Sequence, residues 1–294
     1  MINTRILRAE FEYLAPRTVE EALYLLDKYG PEARIIAGGT DLLIQMKQEI
    51  AAPRYLIDIA KISGLGSIEE EEGWLRIGAA ARWSEVIRFC AARPRYAALT
   101  EAAASIGKVQ VRNMATIGGN LCTASPAADS APALLVLDAR VRLVEARGER
   151  TLDLEDFFKG VRKTAMGQSE IMTEVRIPPI PKGAGSAFAK ITRVGADISK
   201  ISCAVSVGRQ GTRCTFCRIA MGAVAPVPLR IKDAEAIAAG REVEPALLED
   251  IGRKVAEEIK PITDIRSTTE YRRAVAGVLA RDVLSKAWCR AEEK

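Results

Sequence analysis

Apolar residues recur at Val19, Ala22, Leu23 and Leu26, a three-and-four spacing that lays them along one helical face. Thr18-Val-Glu-Glu21 is a capping box at the start of this helix, and Gly30 stops it. The period then shortens. Ala33-Arg-Ile-Ile-Ala37 reads as a buried strand running into Gly38-Gly39, and Asp41-Leu-Leu-Ile-Gln-Met-Lys47 behind it has helical composition. Further strands are predicted at Tyr55-Leu-Ile-Asp-Ile59 and at Gly73 to Ala79, the second following a glutamate-rich turn at Glu69 to Glu72.

Helices are predicted over Ser84 to Phe89 and over the alanine-rich Ala97 to Ile106. From Lys108 to Ser125 the texture changes to Gly, Asn, Thr and Ser, which predicts a long polar loop. It ends in Pro126-Ala-Ala-Asp129 and a helix from Ala131 to Leu137. A strand pair, Val141 to Val144 and Thr151 to Leu154, turns at Arg147-Gly148, and a strand from Ile171 to Ile177 closes this half. Pro178-Pro-Ile-Pro-Lys-Gly183 is the densest Pro and Gly cluster and marks the boundary between domains. Beyond it, strands at Ala187 to Thr192, Ile201 to Val207 and Cys214 to Met221 precede helices near Asp233 to Ala239, Pro245 to Ile259 and Thr269 to Trp288. Sheet followed by helices predicts an α+β domain, an antiparallel sheet with its helices on one side.

A length of 294 residues suits two domains at roughly 150 residues each. With 48% hydrophobic and 28% charged residues, the composition is that of a soluble globular protein, and no uncharged apolar stretch of about 18 residues could span a membrane. The start, Met1 to Glu10, is broken by charges before a signal-peptide core could form, so a cytoplasmic location is expected. Histidine is absent, which excludes Ser-His-Asp triads, Cys-His pairs and His-ligated metals. The net charge of +5 is spread along the chain and aromatics are few, so nucleic acid is not an expected partner.

Two glycine-rich segments stand out, Ala37-Gly-Gly-Thr-Asp41 and Thr116-Ile-Gly-Gly-Asn120. Glycines permit positive φ and close backbone approach, so successive amides can converge on an anion, aided by the hydroxyls of Thr40 and Thr116. Turn formation alone also explains either pair. Neither segment is a Gly-x-Gly-x-x-Gly or Walker loop, which disfavours Rossmann and P-loop folds.

Arg34-Ile-Ile-Ala-Gly-Gly-Thr-Asp-Leu-Leu43 and Gln110 to Asp129, centred on Ala115-Thr-Ile-Gly-Gly-Asn-Leu-Cys122, closely resemble the flavoprotein subunits of the molybdenum hydroxylases, the family of carbon monoxide dehydrogenase medium subunits and xanthine dehydrogenase FAD subunits. The likeness runs over the whole chain and includes Ala187 to Lys190 with Arg193, Ala196-Asp-Ile198, Asp264 to Ser267 and Tyr271 to Arg273. It implies an α+β protein: a p-cresol methylhydroxylase-type FAD-binding domain over residues 1–177, with subdomains of about 1–57 and 58–177, and a smaller C-terminal domain over 184–294. It also implies noncovalent FAD, with Arg34, Ile35, Ile36, Ala37, Gly38, Gly39, Thr40 and Asp41, then Thr116, Ile117, Gly118, Gly119 and Asn120, as cofactor contacts. Asp129 would meet cofactor hydroxyls, and Lys190 is a further flavin-side candidate. Partners implied are a large subunit with the molybdenum cofactor and a small subunit with two [2Fe-2S] clusters, in a heterohexamer of two trimers. The function implied is an electron-transfer subunit that passes electrons from the partner clusters through FAD to a terminal acceptor and has no catalytic residue of its own. A stand-alone flavin-dependent oxidoreductase and an assembly subunit without FAD are the alternatives.

Single residues have plainer explanations beside these. Asp129 also reads as a helix-start acid, and Lys190 as an exposed strand lysine. Cys214 and Cys217 stand an odd number of positions apart on a predicted strand, which points them to opposite faces, and no metal is expected in this chain. Cys122, inside the second segment, could lie close to FAD but reads first as a small packing residue. Tyr271, Val275, Val278 and Leu279 read as the core stripe of the last helix.

Overall fold

The computed structural model describes residues 7–291, so Met1 to Ile6, part of the segment read for a missing signal core, lies outside the described residues. The chain opens with β1 (Glu12–Leu14), α1 (Val19–Tyr29), β2 (Ala33–Ile36), α2 (Leu42–Lys47) and β3 (Tyr55–Asp58). The strands form a parallel sheet in the order β1-β3-β2, and α1 buries Ala22, Leu23 and Leu26 in the same apolar cluster as Ala33 and Ile57. Thr18 caps α1 by accepting from the Glu21 amide at 3.1 Å. The Glu21 carboxylate accepts from the Arg17 amide at 2.8 Å, one residue before the one a capping box uses.

There follow β4 (Ile68–Glu71), β5 (Trp74–Gly78), α3 (Trp83–Ala91), α4 (Ala97–Ser105), α5 (Val109–Arg112), α6 (Ile117–Thr123), α7 (Ser130–Val136), β6 (Arg140–Glu145), β7 (Gly148–Asp153), α8 (Leu154–Phe157), β8 (Phe158–Gly160), β9 (Lys163–Thr164) and β10 (Ile171–Ile177). An antiparallel sheet, β4-β5-β10-β6-β7, packs Leu75, Ile77, Val141 and Val175 against Trp83, Leu99 and Leu134 of the helices. Two expectations fail here. Glu69 to Glu71 are not a turn but part of β4, with Glu69 opposite Arg76 and Ile68 opposite Ile77; the turn falls at Glu72-Gly73, both at positive φ. The polar segment from Lys108 to Ser125 is not one long loop either. It holds α5 and α6, because Thr116 caps α6 by accepting from the Gly119 amide at 3.2 Å.

After residues 178–184 come β11 (Gly185–Ile191), β12 (Ile201–Gln210), β13 (Arg213–Gly222), β14 (Leu229–Arg230), α9 (Lys232–Ala238), α10 (Pro245–Glu258) and α11 (Thr269–Arg290). The four strands pair antiparallel in chain order, and α10 and α11 cover one face through Leu247, Ile251, Val283 and Leu284. The other face carries Phe188, Ala204 and Ala220 into the core beneath α4 and α7. On α11 the buried stripe includes Leu279, as read from the sequence, with Ala276, Ala280, Val283, Leu284 and Ala287, and Val275 packs against it; Tyr271 and Val278, at 42% and 46% exposed, are not part of it.

Cys214 and Cys217 also differ from expectation. Gly208 and Arg209 oppose Phe216 and Cys214, so Thr215 is an extra, bulged residue. The bulge cancels the odd spacing, and both cysteines lie in one apolar cluster.

β11 is zipped to the first half by hydrogen bonds from the Phe188 amide to Glu101 at 2.8 Å and from the Ala98 amide to Ser186 Oγ at 3.1 Å. Its first residue, Gly185, lies against the end of α11, where a Cβ would collide with the Ala287 carbonyl oxygen and stand 2.5 Å from the Ala291 nitrogen. Gly185→Ala should therefore cost about 1–3 kcal/mol of stability by overpacking. A urea melt checks this; an unchanged midpoint would show that α11 moves aside freely.

Candidate functional site

The first glycine segment is the turn between β2 and α2. Gly39 sits at φ 67°, left-handed backbone that suits glycine. Gly38 has a different reason to be glycine. A Cβ there would collide with the Met114 carbonyl, with that carbon at 2.8 Å and the Ala115 Cα at 2.9 Å, so the two polar segments touch backbone to backbone. The amides of Gly38, Gly39, Thr40 and Asp41 meet no acceptor among the described residues. Four consecutive unpaired donors make a site for an anion. The Asp41 carboxylate accepts from Gln45 Nε2, and from Thr123 Oγ1 at 3.4 Å, which tethers this turn to α6.

The second segment does not act as its composition suggests. Its amides are already used: Ile117 donates to Ala81 O at 3.0 Å, Gly118 to Ala79 O at 2.9 Å, Gly119 to Thr116 Oγ1 at 3.2 Å and Asn120 to Thr116 O at 3.0 Å. Gly118 is a packing glycine, since a Cβ would meet Ala79 Cβ at 2.7 Å. At Gly119 a Cβ would meet only Thr116 Oγ1, at 3.0 Å. This segment shapes a wall, while the first supplies backbone donors.

Between them lies a cavity of about 740 Å³, within the range of cofactor and ligand pockets. Arg34 to Asp41, Thr116, Gly118, Gly119, Asn120 and Asp129 all line it. Ile117 does not; its side chain is fully buried in the core. Lys190 does not line it either, nor is it exposed. Its side chain is 8% exposed and its ammonium donates to Asp129 Oδ2 at 2.7 Å, Ser105 O at 2.9 Å and Asp197 O at 3.1 Å. Asp129 sits at the N-cap of α7, the helix start read from the sequence, but its side chain makes no capping hydrogen bond there. Its Oδ1 accepts from Ser199 Oγ. Burial pushes the Asp129 carboxyl above its ordinary value, and the Lys190 and Ser199 hydrogen bonds work against that rise.

Several lining residues were missed. Ile106 and Gly107 follow α4; Arg162 and Met166 to Gln168 come from the β8–β9 region; Glu170 to Met172 enter β10; and Ala196 to Ile198 reach in from the segment after β11. The β8–β9 hairpin has strands too short to leave an alternation, with Arg162 at φ 56° in its turn. Ala196-Asp-Ile198 carries part of the family likeness, the signal that could have found it. Cys122 also lines the cavity, and burial pushes its thiol up to about 12, so it stays protonated and inert near neutral pH. The lining joins backbone donors and apolar walls with the carboxylates of Asp41, Asp129, Glu170 and Asp197.

Comparison with known proteins agrees with this geometry. The family described as the FAD binding domain in molybdopterin dehydrogenase matches residues 9–180, and the CO dehydrogenase flavoprotein C-terminal domain matches residues 186–287. The carbon monoxide dehydrogenase medium chain of Hydrogenophaga pseudoflava is 34% identical over 280 residues, covering 95% of this chain and 98% of its own. The putative xanthine dehydrogenase FAD-binding subunit of Escherichia coli K12 is also 34% identical, over 94% of this chain and 95% of its own. Among solved structures, carbon monoxide dehydrogenase from Hydrogenophaga pseudoflava, in a form lacking the Mo-pyranopterin moiety, superposes with a TM-score of 0.94 at 34% identity over 98% of this chain and 100% of that one. A chain matched along nearly its whole length by both domains of this family, and folded as its members are, belongs to the FAD-binding subunits of the molybdenum hydroxylases.

Proposed function

We propose that this chain holds FAD without a covalent bond and relays electrons from the [2Fe-2S] clusters of a partner subunit to a terminal acceptor, for a molybdenum-containing large subunit that oxidises the substrate. The observation that carries the reading is the run of four unpaired amides at Gly38 to Asp41, on the rim of a cavity large enough for a dinucleotide. The residues fit the group: a diphosphate supplies the acceptors those amides lack, and Gly39 holds the backbone in the conformation that presents them. FAD, when bound, supplies the redox chemistry.

The chain supplies binding and orientation. The Gly38 to Asp41 amides take the pyrophosphate, Arg34 to Ile36 flank it on β2, and Thr116, Gly118, Gly119 and Asn120 form the opposite wall. Asp129 accepts from a cofactor hydroxyl in this reading. Ile117 stands behind that wall, and Lys190 behind Asp129. A subunit kept only for assembly would have no use for four open donors at a cavity, which argues against loss of the cofactor. We further propose the domain limits 1–177 and 184–294, with subdomains meeting near residue 57, and assembly with the two partner subunits as a heterohexamer of two trimers in the cytoplasm. The names of the relatives, a medium chain and an FAD-binding subunit, support the assembly. No helix among the described residues is long and apolar enough to cross a membrane.

Three outcomes test the reading. Acid precipitation of the purified chain should release all flavin to the supernatant, since no histidine exists for an 8α linkage; yellow protein in the pellet would contradict noncovalent binding. Gly119→Val should leave the circular dichroism unchanged, because little surrounds that position, yet lower FAD affinity by at least about ten-fold, roughly 1.4 kcal/mol, as the side chain enters the cavity. Unchanged affinity in a fluorescence titration would remove Gly119 from the site. In anaerobic stopped-flow the isolated flavoprotein should be bleached by dithionite and not by a substrate of the molybdenum subunit, whose oxidation should bleach the flavin only in the assembled complex. Bleaching of the isolated chain by such a substrate would favour a stand-alone oxidoreductase.

A further inference from the structure

Lys190 was expected to be either a flavin contact or a surface lysine; its side chain is buried, not on the surface, and its ammonium is bonded within the chain. An ammonium has three N–H bonds, and all three of Lys190 are committed, to the Asp129 carboxylate, the Ser105 carbonyl and the Asp197 carbonyl. Each acceptor belongs to, or adjoins, a different piece of cavity wall. Ser105 precedes Ile106 and Gly107 at the end of α4, Asp129 lines the cavity ahead of α7, and Asp197 lies in the stretch Ala196 to Ile198 that enters from the C-terminal half. Lys190 itself, on β11, lines nothing.

We infer that Lys190 is a positioning residue: from outside the cavity it joins three wall segments from both halves of the chain and keeps Asp129 an anion for the bound cofactor. The inference rests on the FAD reading of the cavity. Removing the ammonium would leave a buried carboxylate with no cation and detach the 193–199 stretch from α4 at once.

The groups around Asp129 are few. β11 presents Lys190; the stretch after it presents Ser199, which donates to Oδ1, and Asp197 and Arg193, which pair with each other at 2.9 Å; the end of α4 presents Ser105. Among the described residues, Lys190 is the cation bonded to Asp129. Burial raises the Asp129 carboxyl and Lys190 opposes that rise, so without Lys190 it titrates at higher pH. Cofactor binding that needs the carboxylate is present above that titration and lost as pH falls through it.

The experiment is FAD titration of the full chain by flavin fluorescence across about pH 6 to 9, together with amide hydrogen exchange of the FAD-free chain. In Lys190→Met the acidic midpoint for FAD binding should rise by at least about one pH unit, and residues 193–199 and 105–107 should exchange faster. Lys190→Met combined with Asp129→Asn removes the whole charge pair, so it folds even if the single variant does not. It should bind FAD weakly across this range, as the wild type does below its acidic midpoint, with no pH dependence, while keeping the faster exchange. A wild-type pH profile in the single variant, or wild-type exchange in the double variant, overturns the inference. A wild-type chain that binds no FAD would instead overturn the cofactor reading, and the exchange comparison would still judge the role of Lys190.

Discussion

The site depends on one close backbone contact, the seating of Gly38 against Met114 and Ala115. Only a residue without a Cβ lets the turn after β2 approach that carbonyl. From this approach follow the position of the unpaired amides and the reach of Asp41 to Thr123. Gly38 and Gly39 look interchangeable as letters, yet the first answers a steric demand from a neighbouring chain segment and the second a backbone angle.

The two polar segments divide the work. The turn at residues 38–41 lines the cavity with its amide donors unpaired. The segment at 116–120 has satisfied its own as the first turn of α6, and what it offers is shape. A third wall comes from the C-terminal half through Ala196 to Ile198, with β11 zipped along α4 and Lys190 at the cavity end of that seam. The cavity is thus built from segments far apart in sequence, and its geometry depends on the docking of both halves.

Much of this was legible beforehand. The 3.6-residue period of α1 and the apolar run of β10 led directly to elements with nearly the observed bounds, and the motif likeness pointed to the family and to two of the segments that line the cavity. Composition misled where local hydrogen bonding decides the outcome. Gly, Asn and Thr between Lys108 and Ser125 read as loop, but a Thr116 cap and tertiary acceptors at Ala79 and Ala81 make part of it helical. Period-two reasoning placed Cys214 and Cys217 on opposite faces because a bulge leaves no mark in strand periodicity; Gly208, where a Cβ would come within 2.5 Å of the Phe216 ring, was the available hint. Lys190 could not be placed from sequence, since two of its three partners lie 61 and 85 positions away.

The division between open and satisfied amides is the centre of the account, and hydrogen exchange read residue by residue, with and without saturating FAD, tests it most directly. The account predicts that FAD slows exchange strongly at Gly38, Gly39, Thr40 and Asp41, and little at Ile117 to Asn120, where the amides are bonded already. Protection confined to residues 117–120, with 38–41 unchanged, would contradict it.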